Sequence, residues 1–413
     1  MEKSKYSIIP KPQKYIVNEG TYTVTQDTAV LCNPEFIKAG KYLSAFLKTR
    51  SDAKNGAIKF NKDSSMRSEA YRLVISTDEI TVSAPDENGA FYGAVTLKTM
   101  LMQSKSSEGV AVLNCCSIYD YPKFSYRGGM MDEARHFFGK DAVKQTLDNM
   151  AMLKLNKFHW HLSDDQGYRI ESEEFPLLNE ISSRRKYEFL GGTELLSKIP
   201  GLEKGGSEYF HYYKKDDIRE IVEYASNLCI DIVPEIDLPG HTVAILAAYP
   251  QLSCLKGDYE VFCENGITKD VLCAGQEETY IFIEKLLTEV CDLFPYKYFH
   301  MGGDEASKGY KIWEKDCPVC KAKMKELGAD SGKDLQVYFN KRVNDILNKL
   351  GKKSIEWNDG IGEGTSSDIV GHYWIYRTPS WTKRENSKRK FIVSSCPTLY
   401  FDYSYAVSPL KKV

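Results

Sequence analysis

The run Phe299-His-Met-Gly-Gly-Asp-Glu305 sets two carboxylates side by side, behind a short apolar stretch and a pair of glycines. Like charges that close repel, and one of the two tends to keep its proton. Such a pair suits an acid better than it suits a core. Other chemistry-bearing residues recur at comparable places along the chain. They are Arg127 and Asp132; Asp164 and Asp165; Glu235, Asp237 and His241; Trp357 and Asp359; Trp374; and Tyr400 and Asp402. Each group ends a short apolar run. A single one of them reads equally well as a helix N-cap, and Asp359 is open to that reading. Seven in register point to a ring of functional side chains.

The residue types narrow the chemistry. Carboxylates with Trp, Tyr, one Arg and a His suit a sugar. Indoles stack on the apolar face of a pyranose, and Arg and Asp take hydroxyl pairs through charge-assisted hydrogen bonds. Glycoside hydrolysis usually uses two carboxylates on opposite sides of the scissile bond, roughly 5–9.5 Å apart. Adjacent residues fit that scheme badly. They fit the substrate-assisted exception, in which the substrate's own acetamido group is the nucleophile. One carboxyl then holds the acetamide N–H, and its neighbour protonates the leaving oxygen and later activates water.

The surrounding elements must place these groups. Strand-like runs alternate with amphipathic helical ones from about residue 123: "FSYRGGMMD", "KFHWHLSDD", "DIVPEID", "YFHMGGDE", "SIEWNDG", "DIVGHYWIY" and "KFIVSSCPTLYFD". Seven strand-then-helix units predict a parallel sheet closed as a (β/α)8 TIM barrel, with its site at the C-terminal strand ends. Residues 1–122 read as a separate small α/β domain. "EAYRLVIST" and "EITVSAPD" alternate as a hairpin around Asp78, and "NGAFYGAVTLKTMLMQ" is helical, with Phe91, Val95 and Met102 near one face. No titratable cluster stands out there. The catalytic domain is taken as 123–413.

The bulk numbers agree with two domains, since 413 residues exceed what one core usually supports. The net charge of −2 gives no support for nucleic acid as a partner. No run approaches the roughly 20 apolar residues of a membrane span. The N-terminal "MEKSKYSIIPKPQKY" lacks the apolar middle of a signal peptide. The expected compartment is therefore cytoplasmic, or periplasmic, surface or secreted if a signal has been removed. The count of 11 Cys is odd, so at least one is free or paired between chains. Cys317 and Cys320 in "CPVC" have the spacing of a zinc half-site, but no second half-site with matching His or Cys is evident. A thiol pair or local disulfide is expected, and Cys254, Cys263 and Cys273 lie close enough to staple one loop. No cofactor and no metal are expected.

The barrel portion closely resembles glycoside hydrolase family 20, the β-N-acetylhexosaminidases. The resemblance rests on "YRGGMMDEARHF", "NKFHWHLSDDQGYRIE", "PEIDLPGHT", "HMGGDEA", "IEWNDG" and "YFDY", from about 126 to 403, and the N-terminal segment is similar to the small domain that precedes the barrel in that family. It implies exo-acting removal of a terminal β-linked N-acetylhexosamine from an oligosaccharide or glycoconjugate. Asp304 would orient the acetamide and Glu305 would be the acid/base. Arg127 would bind sugar hydroxyls, Trp357 and Trp374 would wall the acetamido pocket, Tyr400 would donate to the acetamide oxygen, and Asp402 would bind a hydroxyl. Asp164 and His241 match supporting positions. His241 is also readable as a cap of the next helix, Asp165 as a partner of Arg169, and His159 with His161 as a buried hydrogen-bonded pair. Seven strands are complete by residue 402, so the eighth strand, with a pocket-closing Trp, is expected to be missing, leaving this polypeptide poorly soluble and nearly inactive. Alternatives are a lacto-N-biosidase-like member, a non-catalytic glycan-binding relative, and a metal-dependent barrel hydrolase using His159, His161 and Asp304.

Overall fold

The computed structural model describes residues 6–48, 55–104, 110–186, 209–264, 266–375 and 389–401. Two compact units divide the chain. One comprises Met1–Gly129, Asp141–Phe158 and Ile221–Asp231; the other comprises Met130–Lys140, His159–Glu220 and Ile232–Val413.

The first unit holds β1 (Lys14–Val24), β2 (Thr28–Cys32), β3 (Asn55–Lys62), β4 (Tyr71–Ile75), β5 (Ile80–Ala84) and β6 (Ala111–Asp120), with helices α1 (Ile37–Leu47) and α2 (Glu87–Ser104). The strands form one mixed sheet in the order β1-β6-β4-β5-β3-β2. The hairpin expected around Asp78 is present: β4 and β5 pair antiparallel from Ile75 opposite Ile80. Asp86 starts α2 by accepting the Gly89 N–H at 2.9 Å, a normal N-cap bond. Phe91 and Val95 are buried as the helical spacing requires, but Met102 is 54% exposed. In the last turn the buried positions move to Met100 and Leu101. The unit also contains a buried cluster that the sequence did not suggest, in which Lys154 Nζ lies 3.2 Å from Asp120 Oδ2 and 2.9 Å from the Tyr71 hydroxyl.

The seven strand-like runs from residue 123 onward are all strands: β7 (Gly128–Asp132), β8 (Lys157–His161), β9 (Asp231–Glu235), β10 (Tyr298–His300), β11 (Lys353–Trp357), β12 (Val370–Tyr373) and β13 (Phe391–Val393). They form one sheet in chain order. From β9 onward each neighbouring pair is parallel. Among the described residues this sheet has seven strands, the barrel's parallel architecture without an eighth.

Helices α3 (Lys140–Met152), α4 (Lys215–Asn227), α5 (Val243–Ala248), α6 (Glu277–Leu293), α7 (Pro318–Leu327) and α8 (Gly332–Lys349) connect the strands up to β11. The strict strand-then-helix repeat fails after β11. Residues 358–369, between β11 and β12, carry turns and no helix, because "NDGIGEGTSSD" is rich in Gly and has no apolar period to bury. No described helix is long and apolar enough to cross a membrane.

Strand alternation sets what the second unit buries. In "FHWH" the two His side chains point one way, and the intervening Trp160 points the other, against Tyr213 at 4.9 Å and Phe294 at 6.3 Å between ring centroids. Helix α8 shows why its sequence is helical. Ser331 and Asp334 form a reciprocal capping box, and Leu335, Phe339, Val343, Ile346 and Leu347 recur at three- and four-residue spacing on the buried side. The cap and the core contribute differently. Ser331→Ala should lower unfolding free energy by about 1 kcal/mol, and Phe339→Ala by about 3–5 kcal/mol. Urea unfolding of the two variants followed by tryptophan fluorescence measures both; equal losses would contradict this division.

Candidate active site

Tight turns at the C-terminal ends of β9 and β10 place the central groups. After β10 the chain runs through Gly302 at φ +70° and Gly303 at φ +102°, then Glu305 at φ +50°. A Cβ on Gly302 would lie 1.7 Å from Asp237 Oδ1, so only glycine allows this approach. The turn is pinned from several sides. Asp237 Oδ1 accepts the Gly303 N–H at 3.0 Å, Gln336 of α8 donates to Gly303 O at 2.7 Å, and Asp359 Oδ2 accepts the Glu305 N–H at 2.8 Å. Asp304 and Glu305 are thereby turned to the same side. One oxygen of each lies 3.5 Å from His241 Nε2. The three ligand atoms lie within 4.8 Å of one another.

His241 itself sits at φ +54°. It is not a helix cap: Thr242 occupies that position before α5. Its Nδ1 is 3.1 Å from Asp164 Oδ1. Asp164 is fully buried and is shared. Its Oδ2 lies 2.7 Å from Arg135 Nη2 and 2.9 Å from His161 Nε2. Behind it, Glu235 collects His161 Nδ1 at 2.5 Å, His159 Nε2 at 2.8 Å, His300 Nδ1 at 3.1 Å and the Trp357 indole N–H at 2.7 Å. Both imidazoles are buried, and His161 is hydrogen-bonded to Glu235 and Asp164, but His159, although 2.8 Å from Glu235, has no hydrogen-bond partner at either ring nitrogen among the described residues, so only His161 fits the reading of a buried, hydrogen-bonded pair. The trio of His159, His161 and Asp304 does not gather: His159 lies with His300 and His372, and Asp304 lies with His241 and Glu305.

The sequence-expected residues divide as follows. Asp164, His241, Asp304 and Glu305 are brought together. Trp357 is buried and stacks on His372 with centroids 4.1 Å apart. The Trp374 indole N–H donates to Asp359 Oδ1 at 2.9 Å, and its ring stacks at 6.3 Å on Tyr400. Asp402 lies outside the described residues.

Arg127 is a correction. It precedes β7, at the N-terminal end of that strand, and its guanidinium is committed within the first unit to Glu69 at 3.1 Å, the Tyr92 hydroxyl at 2.7 Å and the carbonyls of Phe124 and Lys154. The guanidinium in the second unit's carboxylate cluster is that of Arg135, three residues past the end of the same strand. Asp132 Oδ1 accepts the N–H groups of Ala134 and Arg135, both at 3.0 Å, and Oδ2 lies 2.8 Å from Arg135 Nη1. Arg169 clamps the carbonyls of Glu133 and Ala134 from behind. This also removes the expected Asp165–Arg169 pair. Asp165 instead accepts the N–H groups of Val243 and Thr268 at 3.1 and 2.9 Å.

Strand direction alone separates the two arginines, because barrel sites lie at C-terminal strand ends. Asp359 caps no helix; it ties the Trp374 ring to the Glu305 backbone.

Burial and charge set the protonation states. Burial works against ionising Asp164, yet Arg135 and His241 hold its carboxyl far below the usual range. Burial also works against a charged His241, but Asp164 and Asp304 raise its pKa well above normal. Asp304 is pushed up to about 6, first by burial, with Asp359 adding and His241 opposing. Burial raises Asp359 as well. Asp304 Oδ1 and His241 Nε2 are buried and have no hydrogen-bond partner. Unpaired buried polar atoms are rare and often mark a place for a ligand.

The comparisons with known proteins agree with this geometry. The family model "Glycosyl hydrolase family 20, catalytic domain" matches residues 124–412, and "Glycosyl hydrolase family 20, domain 2" matches residues 5–121. The chain belongs to glycosyl hydrolase family 20. It is 33% identical over 385 residues to a beta-hexosaminidase of Porphyromonas gingivalis, covering 89% of this chain and 47% of that protein. It is 33% identical to a beta-hexosaminidase of Akkermansia muciniphila, covering 71% of this chain and 56% of the relative. Among solved structures, the exo beta-N-acetylglucosaminidase of Vibrio harveyi in complex with N-acetylglucosamine matches with a TM-score of 0.81 at 29% identity, covering 95% of this chain and 61% of that one. The Flavobacterium johnsoniae chitobiase gives the same TM-score at 30% identity, covering 98% and 62%. The chain spans about half the length of the curated relatives it matches.

The raised Asp304 pKa has a direct consequence for stability. The folded protein keeps on Asp304 a proton that the unfolded chain releases near its ordinary value of 3.8. The resulting stability is present below that value and lost as pH rises through about 6. Asp304→Asn mimics the protonated form at every pH. Urea unfolding at acidic and neutral pH should therefore show wild type losing ground to the variant as pH rises. A gap that stays constant, or that widens in favour of wild type, would contradict the assignment.

Proposed function

We propose that this chain carries the catalytic centre of an exo-acting β-N-acetylhexosaminidase that works by substrate-assisted, retaining catalysis. The observation that supports this most is the placement of Asp304 and Glu305. Two carboxyls that close cannot hold a water and a sugar between them, as an inverting pair must. They can serve one substrate face with two jobs.

In this reading the acetamide oxygen of the substrate attacks C1 while the Glu305 carboxyl gives its proton to the glycosidic oxygen, which leaves as an alcohol. Asp304 Oδ1, the unpaired buried acceptor, takes the acetamide N–H and stabilises the positive charge on the cyclised ring. Glu305, now a carboxylate, removes a proton from water as that water attacks C1. The ring reopens and the product keeps the β configuration. His241, charged and held by Asp164, keeps the two carboxyls apart in role by favouring ionised Asp304. Glu305, the more exposed of the pair at 29% side-chain exposure, is free to meet the leaving group. Arg135, in place of Arg127, binds hydroxyls of the terminal sugar and is held for that by Asp164. Trp357 floors the acetamido pocket, Trp374 walls it, the Tyr400 hydroxyl donates to the acetamide oxygen, and Asp402 binds a further hydroxyl. The substrate is an oligosaccharide or glycoconjugate ending in β-linked GlcNAc or GalNAc.

A general acid contributes typically ~10²–10⁴-fold. Glu305→Gln should lose that much on substrates with poor leaving groups and far less on nitrophenyl glycosides, whose leaving group departs without a proton. In the same assay Arg135→Ala should raise KM and lower kcat/KM with the fold intact by circular dichroism, while Arg127→Ala should act on thermal stability instead. Equal losses on both leaving-group classes would remove the acid role of Glu305, and a larger KM effect at Arg127 would reverse the arginine assignment.

A further inference from the structure

The "CPVC" motif does have a second half-site, and it comes from a loop some 45–65 residues earlier in the chain. Cys317 caps the start of α7, and Cys320 lies in its first turn. Their sulfurs meet those of Cys254 and Cys273, with Sγ–Sγ distances of 3.6 Å for Cys254–Cys320, 3.6 Å for Cys273–Cys320 and 3.8 Å for Cys273–Cys317. All four sulfurs fall within 4.8 Å of one another. Cys263, expected to join the loop pair, is not part of this group; its thiol donates to Val261 O at 3.3 Å.

These separations decide between three readings. A disulfide needs sulfurs about 2.05 Å apart. Ordinary core cysteines have no reason to converge four at a time. A tetrahedral zinc with Zn–S bonds of about 2.3 Å has its sulfurs about 3.8 Å apart along every edge, and the observed distances fall on or just below that value. The surroundings are built for it. The Cys320 N–H points to Cys317 Sγ at 3.4 Å, so a backbone donor supports a thiolate. A Ser253–Leu272 bridge and the Cys273 N–H to Leu252 O bond at 2.8 Å hold the other two cysteines side by side. A Cβ on Gly275 would come within 2.7 Å of Val319 O, so the loop lies directly on the motif. Cys273, Cys317 and Cys320 are buried, and Cys254 is partly exposed, which leaves a way in.

We propose that Cys254, Cys273, Cys317 and Cys320 bind one structural zinc ion. The four thiols give up their protons as the ion enters, and the closed Cys₄ set leaves no open position for catalysis. Its place in the fold gives it a purpose. The loop with Cys254 and Cys273 follows the turn that carries His241, and the segment with Cys317 and Cys320 follows the turn that carries Asp304 and Glu305. Leu272, next to Cys273, donates to Pro239 O at 3.0 Å and accepts from the Trp313 indole at 3.0 Å. The ion would clip together the two chain segments that leave the carboxylate site.

The test is elemental analysis of the full chain, purified under reducing conditions without added chelator. About one zinc per chain is expected, falling to background in the Cys317→Ser/Cys320→Ser double variant and unchanged in Cys263→Ser. Because the double variant can fail to fold, the wild-type protein is also stripped of metal and given cobalt(II). The strong visible absorption of tetrahedral cobalt thiolate should then appear and saturate at one equivalent. Wild-type protein that neither contains zinc nor takes up cobalt with that spectrum would overturn the proposal. So would recovery of these four cysteines as two disulfides by non-reducing mass spectrometry, or zinc retained in the double variant.

Discussion

Charge buried in this protein is held by being passed from one partner to the next. Glu235, at the end of β9, meets His161; His161 meets Asp164; Asp164 meets His241; and His241 faces Asp304 and Glu305, in steps of 2.5, 2.9, 3.1 and 3.5 Å. An isolated buried carboxylate costs far too much to persist, so each anion requires the cation beside it. The arrangement fixes more than protonation. It fixes the ring orientation of His161 and His241, and it requires the ends of β8, β9 and β10 to stay in register. The last step is the longest and leaves His241 Nε2 and Asp304 Oδ1 without hydrogen-bond partners. The chain of charges therefore stops where a ligand would begin.

The backbone around it is shaped by the same requirement. Gly302, Gly303, His241 and Glu305 all take left-handed conformations, and two of the four bear side chains that pay for this in strain. The strain is maintained because Asp237, Asp359 and Gln336 each hold one backbone group of the Gly302–Glu305 turn. Asp359 couples this turn to Trp374, so the carboxyl pair and an aromatic wall are set by one side chain.

Much of this was legible in the sequence. The alternation of apolar runs announced the parallel sheet, because strands buried on both faces cannot hide their composition. The GGDE turn announced an acid, because no core needs adjacent carboxylates behind two glycines. What the sequence left unread has physical causes. Arg127 and Arg135 are eight residues apart and the same residue type; only the direction of the intervening strand separates a guanidinium tied to Glu69 from one tied to Asp164. Asp359 has the composition of a cap and the partners of a site residue. The four cysteines converge from two loops after different strands, and no local spacing records a meeting made by tertiary structure. The missing helix between β11 and β12 was readable in its glycines, but the regular rhythm on either side concealed it.

The central claim is that Asp304 and Glu305 act on one face of a substrate whose acetamide is the nucleophile. Inhibition by a thiazoline analogue of the cyclised intermediate tests it most directly. A mimic of the intermediate should bind at least ~10²-fold more tightly than the N-acetylhexosamine product, and Asp304→Ala should abolish that advantage by weakening the thiazoline far more than the product, which loses only the bond to its acetamide N–H. A thiazoline that binds no better than the product, or one whose advantage survives loss of Asp304, would contradict the account.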